Sequence, residues 1–216
     1  MSALLKLQKN EIKEMANTMS DAFLFHKNFV YLIGNQKRRK NALYQLFLMM
    51  YKMINRYGFI FVVSKEQVKI GYITFLDDTK YPMNFMSVVK TKGVLHFIMF
   101  LVHSGIRNLF KFKKYMQAFN KAKHDSLNEA IHLYSTGIKK EYRGQRLMSG
   151  PFKDSFDYFK ELGYRKIRLE TSDPSNIAVY EKLKFRMTET INSKDDLQTI
   201  YFFELELWGE LWVFLK

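Results

Sequence analysis

Apolar residues recur along this chain with two different spacings. Helical spacing runs through residues 12–23 and again through residues 37–56. The runs FIFVVS and VKIGYITFL are instead dense in β-branched and aromatic residues, and only a polar Lys-Glu-Gln segment separates them. This order predicts two helices followed by an antiparallel β-hairpin, and a short apolar run at residues 3–7 predicts a strand before them.

In the second half of the chain, predicted strands and helices resume after a long helical segment. From about residue 77 to residue 125 the apolar spacing predicts a helical insertion, which either packs on the sheet or forms a wall of a substrate pocket. The remaining apolar runs predict strands at residues 131–138, 166–170 and 199–207, a return strand from Phe185, and helices at residues 149–162 and 177–183. We therefore expect one α/β (α+β) domain over residues 1–216, with a mixed central sheet flanked by helices.

Composition narrows the class of protein. Hydrophobic residues make up 47% and aromatic residues 16% of the chain, which is typical of a globular protein. The absence of cysteine excludes disulfides, thiolate metal sites and cysteine nucleophiles, and it suits a reducing, cytoplasmic location. The longest apolar run, residues 93–102, is well short of the ~20 residues that a membrane span requires, and the N-terminus lacks the apolar core of a signal peptide. No membrane span is expected.

The chain carries a formal net charge of +14. A lysine-rich solvated surface explains this charge, and so does an anionic partner such as nucleic acid, a membrane surface or, for a few of the charges, a phosphorylated cofactor. The basic residues are spread over short tracts at residues 36–40, 111–114, 121–123 and 139–140. This scatter, without a nucleic-acid-reading motif, argues against nucleic acid as a partner.

A basic loop follows the predicted strand HLYSTGI. Its sequence, IKKEYRGQRLMSG, combines Gly144 with Arg143 and Arg146 and leads into Ser149, the predicted N-cap of the next helix. Backbone N–H groups at a helix N-terminus, the helix dipole and two guanidinium groups suit a bound phosphate. A solvated basic loop has the same composition, so this motif alone does not identify a site.

A second motif, LETSDPSNIAVYEKLKF, places polar residues beside a short helix. Asn176 is the predicted N-cap of this helix, and Tyr180 lies one helical turn later on the same face. Tyr180 is either a core tyrosine with a hydrogen-bonded hydroxyl or a functional group at the same end of the sheet as the basic loop.

Together the two motifs resemble those of the GNAT family of N-acetyltransferases, and specifically its puromycin N-acetyltransferase-like branch. The stretch YRGQRLMSG occupies the place of the family's phosphate loop, whose signature is Gln/Arg-x-x-Gly-x-Gly/Ala. The second motif is similar to the branch's Leu-Glu-Thr-Ser, Asn, Tyr-Glu and Gly-Phe sequence, and a weaker similarity continues upstream over residues 19–47. The resemblance implies a mostly antiparallel mixed sheet with the helical insertion between strands 3 and 4.

The resemblance also implies a reaction and a set of site residues. The reaction would transfer acetyl from acetyl-CoA to a primary amine of a small molecule, without a metal. Backbone groups near Gly137 and Ile138 would bond the pantetheine arm where one strand splays from the next, and Tyr180 would protonate the departing thiolate. The remaining implied contacts to CoA come from Arg143, Gly144, Gln145, Arg146, Leu147, Met148, Ser149 and Asn176.

The general base is the role with several candidates. An amine such as lysine has a pKa of about 10.4 and a thiol one of about 8.5, so deprotonating the amine is the harder task at neutral pH. Glu170 ends the strand that faces the cofactor strand, and it is either the base, directly or through water, or a structural carboxylate of the following loop. Glu129, His132 and Tyr134 are the other candidates.

Three positions depart from the family pattern. Arg146 and Met148 stand where the phosphate loop has small residues, and Lys184 stands where a glycine precedes the closing Phe185. A left-handed backbone is unfavourable for arginine. Either the loop does not need that conformation here, or the cofactor lies differently; Arg146 could also bind phosphate through its side chain.

Two other functions are compatible with the same motifs. One is acetylation of a protein or peptide amine, which an open groove under the insertion would favour over a closed pocket. The other is a catalytically weak domain of this fold that binds CoA or nucleic acid. The aromatic tail at residues 208–214 could pack on a partner subunit in a homodimer or on its own sheet.

Overall fold

A computed structural model describes residues 3–4, 6–77, 80–81, 84–105, 108, 130–192 and 199–208. Its strands are β1 (Ala3–Leu4), β2 (Phe59–Lys65), β3 (Val68–Leu76), β4 (Ala130–Ile138), β5 (Lys166–Thr171), β6 (Arg186–Asn192) and β7 (Thr199–Glu206). Its helices are α1 (Lys9–Ala22), α2 (Lys27–Leu32), α3 (Gln36–Tyr57), α4 (Phe85–Lys90), α5 (Val94–Ser104), α6 (Ser149–Glu161) and α7 (Ile177–Lys182). Short 3₁₀ turns at Lys140–Tyr142 and Pro174–Asn176 come before α6 and α7.

The strands form one mixed sheet in the order β1-β2-β3-β4-β5-β7-β6. β4 and β5 are parallel, and the other neighbouring pairs of this sheet are antiparallel. This arrangement confirms the expected mixed, mostly antiparallel sheet flanked by helices. The predicted hairpin is confirmed as β2 and β3, and it closes through Glu66 and Gln67, whose φ angles of 49° and 68° suit a tight hairpin turn.

The centre of the sheet is covered by helices on both faces. Ile60 and Val62 of β2 belong to one buried cluster with α1 and α3, whereas Phe61 and Val63 belong to a second cluster with α6. Successive residues of a strand lie on opposite faces, so a strand covered on both sides needs apolar residues at every position. This explains why β2 reads as an unbroken apolar run instead of an alternating one.

The insertion between β3 and β4 begins with α4 and α5, as predicted. α5 is held against α3: Phe100 is buried with Leu46, and the Arg38 guanidinium donates to the carbonyl oxygens of Val102 and His103 at 3.3 and 3.2 Å. Asn84 caps α4 by accepting a hydrogen bond from the Ser87 N–H. Residues 109–125 of the predicted insertion lie outside the described residues.

The start of α6 differs from the prediction. Met148, not Ser149, occupies the N-cap position, and the Ser149 hydroxyl donates to the Arg146 carbonyl at 3.1 Å. The preceding turn brings the Arg146 carbonyl within reach of the Ser149 hydroxyl. The hydroxyl therefore donates a hydrogen bond to this carbonyl instead of accepting one as an N-cap. At its other end the helix stops before Gly163, which has a φ of 84°, as expected.

Candidate functional site

The central feature of the site is the point at which β4 and β5 separate. The two strands pair only from Ala130 with Lys166 to His132 with Arg168, although β4 continues to Ile138 and β5 to Thr171. Beyond that point each strand stays paired with its outer neighbour, β3 or β7. The facing edges therefore present backbone N–H and C=O groups to an opening instead of to each other, which is the kind of backbone an extended ligand can bind.

A cavity of about 740 Å³ lies at this opening. Its walls come from β4, β5, the two loops that follow them, and helices α1 to α7, with Phe152 the lining residue of α6. Of the predicted site residues, those that line it are Gly137, Ile138, Arg143, Met148, Glu170, Asn176 and Tyr180. The predicted residues that do not are Gly144, Gln145, Arg146, Leu147 and Ser149, which belong to the adjoining loop and helix start.

The loop after β4 has a left-handed backbone at two positions. Gly144 has a φ of 76° and Arg146 a φ of 57°. Of the two alternatives, the one in which the loop does not need this conformation is wrong, because the exposed arginine adopts the backbone that a glycine would take. Such a conformation is unfavourable for a non-glycine residue, so the surrounding turn imposes it. The same holds for Lys184, whose φ is 68°.

This backbone leaves a row of N–H groups unused. From Gly144 to Met148 the N–H groups donate no hydrogen bond within the described part of the chain. Nearby, the Gln145 side chain donates to the Glu141 carbonyl at 3.1 Å, and the Arg143 Nε donates to the Ile138 carbonyl at 3.4 Å. The loop thus holds its shape through side chains while its N–H groups stay available to an acceptor.

Gly137 lies where α1 packs closely on β4. A Cβ atom on Gly137 would lie 2.4 Å from the Met19 sulfur. On β3, a Cβ atom on Gly71 would lie 2.6 Å from the Gly137 carbonyl oxygen. Both glycines therefore have a reason in close packing that does not depend on a ligand.

A β-bulge precedes Gly137 on β4. Thr74 pairs with Ser135 but Phe75 pairs with Leu133, so Tyr134 is the extra residue. The Ser135 hydroxyl is held by Thr74 Oγ1 at 2.8 Å and by the Tyr51 hydroxyl at 3.0 Å. Burial raises the pKa of Tyr51 far above its usual range, so this hydroxyl stays protonated. The bulge aligns Tyr134 and Ser135 with the cavity wall.

Asn176 does not cap α7 as predicted. Its side-chain amide donates to Thr171 Oγ1 at 3.1 Å, and its backbone is already helical, with no capping bond. Asp173 organises the turn instead, because its carboxylate accepts from the Ser175 N–H at 3.0 Å and the Ser175 hydroxyl at 2.8 Å. Burial opposes the charge on Asp173, but these hydrogen bonds and the charges nearby outweigh it and lower the pKa of its carboxyl.

Tyr180 stands at the cavity wall with its ring buried. The ring packs against Phe185 and Phe203, with centroids 5.9 and 5.6 Å away. Burial, followed by the negative charges of Glu170 and Asp173, raises the pKa of Tyr180 to about 12. The hydroxyl is therefore protonated at neutral pH, and no hydrogen bond holds it among the described residues.

Glu170 and His132 form a buried pair beside Tyr180. The His132 Nε2 and Glu170 Oε2 atoms are 2.8 Å apart, and the side chains are 8% and 15% exposed. The sequence presented these residues as alternative bases, whereas the structure joins them at the last paired position of β4. Tyr134 packs its ring 5.3 Å from that of His132, and Glu129 lies outside the described residues.

The sequence did not single out Asn28 or His26, two polar residues at the start of α2, for the site. The Asn28 amide donates to the Ser172 hydroxyl in the loop after β5, and His26 lies in the field of Asp173. Burial lowers the pKa of His26, and its Nδ1 atom is buried without a partner in the part of the chain that the structure describes. No local pattern signals these contacts, because they join residues far apart in the sequence.

The described residues contain no group of three or more His, Cys, Asp or Glu side chains that could hold a metal ion. No helix among them is both long enough and apolar enough to cross a membrane.

The comparisons with known proteins rest on structure. No family model matches the chain, and no curated protein matches its sequence. A Desulfovibrio desulfuricans protein assigned to the GNAT family of acetyltransferases aligns over 96% of this chain and 99% of its own, with a TM-score of 0.56 and 9% identity. A Corynebacterium glutamicum structure, described as histone acetyltransferase HPA2 and related acetyltransferase, aligns over 94% of both chains, with a TM-score of 0.61 and 15% identity.

A third similar structure contains a ligand. It is a Salmonella typhimurium protein described as an acetyltransferase with its cofactor acetyl-CoA, and it aligns over 97% of this chain and 96% of its own, with a TM-score of 0.54 and 12% identity. The chain therefore has the fold of the GNAT acetyltransferases, as the sequence motifs predicted. The resemblance to the puromycin N-acetyltransferase-like branch stays a prediction.

Proposed function

We propose that residues 1–216 form a single N-acetyltransferase domain that transfers acetyl from acetyl-CoA to a primary amine of a small molecule. The observation that carries the proposal is the parting of β4 from β5 after His132 and Arg168, with the unused N–H groups of the loop at one side and Tyr180 at the other. The shared fold, and acetyl-CoA in one similar structure, support the same conclusion.

The residues present fit acetyl-CoA. The loop from Gly144 to Met148 offers free N–H groups for the diphosphate, and Arg143 and Arg146 add positive charge. The free edge of β4 at Gly137 and Ile138 suits the amides of the pantetheine arm. The remaining predicted contacts are Gln145, Leu147, Ser149 and Asn176. When bound, acetyl-CoA supplies an acetyl thioester, which is an electrophile for an amine.

The side chains at the opening can manage the protons of this reaction. An amine reaches the site as an ammonium ion, and the Glu170 carboxylate, oriented by His132, accepts one of its protons. The nitrogen forms the C–N bond as the C–S bond breaks. Tyr180 donates a proton to the leaving sulfur and recovers one from the new amide nitrogen. For each ammonium ion and acetyl thioester consumed, the reaction yields one amide, one thiol and one free proton.

The first experiment asks whether acetyl-CoA binds at all. We expect saturable binding by calorimetry and a rise in the thermal unfolding midpoint with acetyl-CoA, because a ligand of the folded chain stabilises it. No binding at millimolar acetyl-CoA would refute the proposal.

The second experiment tests the proton donor. Tyr180→Phe should lower kcat about 100-fold or more while leaving acetyl-CoA binding unchanged, because the ring keeps its packing and only the proton is lost. Tyr201→Phe is the matched control, since this tyrosine lies on β7 and does not line the cavity. Equal rates for wild type and Tyr180→Phe would exclude Tyr180 from this role.

The third experiment tests the base. Glu170→Gln should lower the rate of acetyl transfer at neutral pH. The rate of this variant should recover as the pH approaches the amine pKa of about 10.4, because free amine then forms without a base. A loss that no pH restores would mean that Glu170 is structural. Transfer to a peptide amine is the alternative function, and the walls that α4 and α5 contribute to the cavity support a small acceptor instead.

A further inference from the structure

The cavity has two chemically different ends. One end, formed by β5 and the loop after it, carries Glu170, Asp173 and the Tyr180 hydroxyl. The other end is formed by α1, α3, α4, α5 and Phe29 of α2, and it is lined mainly by aromatic, methionine and aliphatic side chains, among them Phe23, Met50 and Phe97, whereas Asn28 of α2 reaches the loop after β5. A ligand that reaches both ends must be polar at one extremity and apolar along the rest.

The charge of the lining opposes that of the chain. Although the chain has a net charge of +14, the only formally charged residues among the described lining are Glu170, Asp173 and Arg143. Arg143 belongs to the loop proposed to bind phosphate, so the formally charged side chains that line the polar end are the carboxylates of Glu170 and Asp173, with Lys27 near Asp173 but outside the described lining. Such an end attracts an ammonium group.

The apolar end is a built wall. The Phe23 ring packs 6.2 Å from Phe29 and 5.4 Å from Phe47, centroid to centroid. α5 is fixed to α3 by the buried Phe100 and by a 2.8 Å contact between His96 Nδ1 and Gln45 Oε1. A hydroxylated or charged ligand body would lose its hydration against these side chains without gaining hydrogen bonds from them.

We infer that the acceptor is a primary amine on an apolar body, an alkylamine or arylalkylamine, with its nitrogen at Glu170 and its body against Phe97 and its neighbours. This inference rests on the proposed function, and it names the substrate class for the same site. The reaction is the acetyl transfer given above: the C–N bond forms at the amine, the C–S bond of the thioester breaks, and one proton is released.

The test is a series of acceptors assayed with acetyl-CoA by release of the free thiol. From ethylamine to hexylamine, kcat/KM should rise on the order of 100-fold, because each buried methylene contributes roughly a factor of four. The matched control is 5-aminopentan-1-ol, which equals hexylamine in length but ends in a hydroxyl and should lose most of the gain. Equal kcat/KM values for hexylamine and 5-aminopentan-1-ol would overturn the inference. A higher kcat/KM for octanoyl-CoA with ethylamine than for acetyl-CoA with hexylamine would also overturn it, because the apolar end would then hold the acyl chain of the donor.

A second arm locates the binding site without relying on turnover. Hexylamine should bind saturably in calorimetry without acetyl-CoA, and Phe97→Ala should weaken this binding about tenfold or more. Leu95→Ala is the control, because Leu95 lies on the same helix, is 66% exposed and does not line the cavity. Hexylamine binding with no acetyl-CoA binding would refute the proposed function alone; acetyl-CoA binding with no hexylamine binding would overturn this inference alone.

Discussion

Replacing Arg146 by glycine has two effects that can be measured separately: it relieves the left-handed backbone of this residue, and it removes the positive charge of the side chain. A non-glycine residue in the left-handed region costs about 1–2 kcal/mol. Glycine would remove this cost, but it would also lower the unfolding free energy by about 0.4–1 kcal/mol, because it gives the unfolded chain more conformational freedom. The Arg146 side chain is exposed and makes no hydrogen bond or ion pair with the described residues. The variant should therefore gain about 0.5–1 kcal/mol of unfolding free energy.

Lys184 provides the matched control. Its φ of 68° is close to the 57° of Arg146, and it too is exposed. It follows α7 instead of the phosphate-sized loop, and it does not line the cavity. Each glycine variant should raise the thermal unfolding midpoint by about 1–4 °C, which is what this gain implies for a chain of this size.

Only Arg146→Gly should change the affinity for acetyl-CoA. An exposed guanidinium bound to phosphate is worth about 1 kcal/mol, so the Kd measured by calorimetry should rise about fivefold, and its dependence on salt should weaken. Lys184→Gly should leave the Kd unchanged. Because both variants carry the same backbone change and the same loss of one positive charge, the difference between them isolates the contact at residue 146.

Two results would contradict this reasoning. If Lys184→Gly is stabilised and Arg146→Gly is not, the loop does not strain Arg146, or the guanidinium makes a stabilising contact in solution. If Arg146→Gly binds acetyl-CoA as tightly as wild type or more tightly, Arg146 does not hold phosphate and its side chain only tolerates the turn.

Two further predictions concern stability. The Tyr164 hydroxyl donates to the buried Asp77 carboxylate at 2.8 Å, so Tyr164→Phe should lower the unfolding midpoint by about 2–10 °C in a thermal melt, with Tyr158→Phe as an unaffected control. Burial lowers the pKa of His26 below its ordinary 6.5, although the charge of Asp173 opposes this. The unfolded chain therefore takes up that proton first, and the stability that this histidine contributes at pH 7 is lost as the pH falls below about 6.5 toward the folded pKa. His26→Gln should flatten the slope of the unfolding midpoint over that range; an unchanged slope would exclude His26 as its source.

The elements that the sequence predicts well are those decided by local pattern. β2, β3 and α3 are long, strongly patterned runs, and their bounds agree with expectation within a few residues. The ends of elements were less predictable. Ser149 and Asn176 have the chemistry of N-caps, but in each case a nearby oxygen, the Arg146 carbonyl or the Thr171 hydroxyl, was the better partner for the side chain.

The site itself depends on contacts that no local pattern contains. The pairing of His132 with Glu170 follows from the register of two parallel strands, and the bond from Asn28 to Ser172 joins residues 144 positions apart. The left-handed backbone of Arg146 is likewise not predictable from local sequence. The backbone preference of arginine argues against it, and the turn into α6 imposes it. A sequence motif could nominate these residues, but only the fold shows which of them act together.

Gly137 illustrates how packing and ligand binding can require the same residue. The family resemblance explains the glycine by the cofactor arm that would pass beside it. The structure offers a second explanation, because Met19 of α1 occupies the space where a Cβ atom would lie, 2.4 Å from its sulfur. Met19 is fully buried, so α1 cannot give way freely.

A double-mutant cycle distinguishes the two explanations. Gly137→Ala should lower the free energy of urea unfolding by about 1–3 kcal/mol through overpacking, and Met19→Ala by about 2–5 kcal/mol through the cavity it leaves. If Met19 is the obstacle, the combined variant loses at least about 0.5 kcal/mol less than the sum, because the shortened side chain makes room for the new methyl group. Strict additivity would contradict the packing explanation. A Gly137→Ala variant with normal stability and impaired acetyl-CoA binding would instead assign the glycine to the ligand.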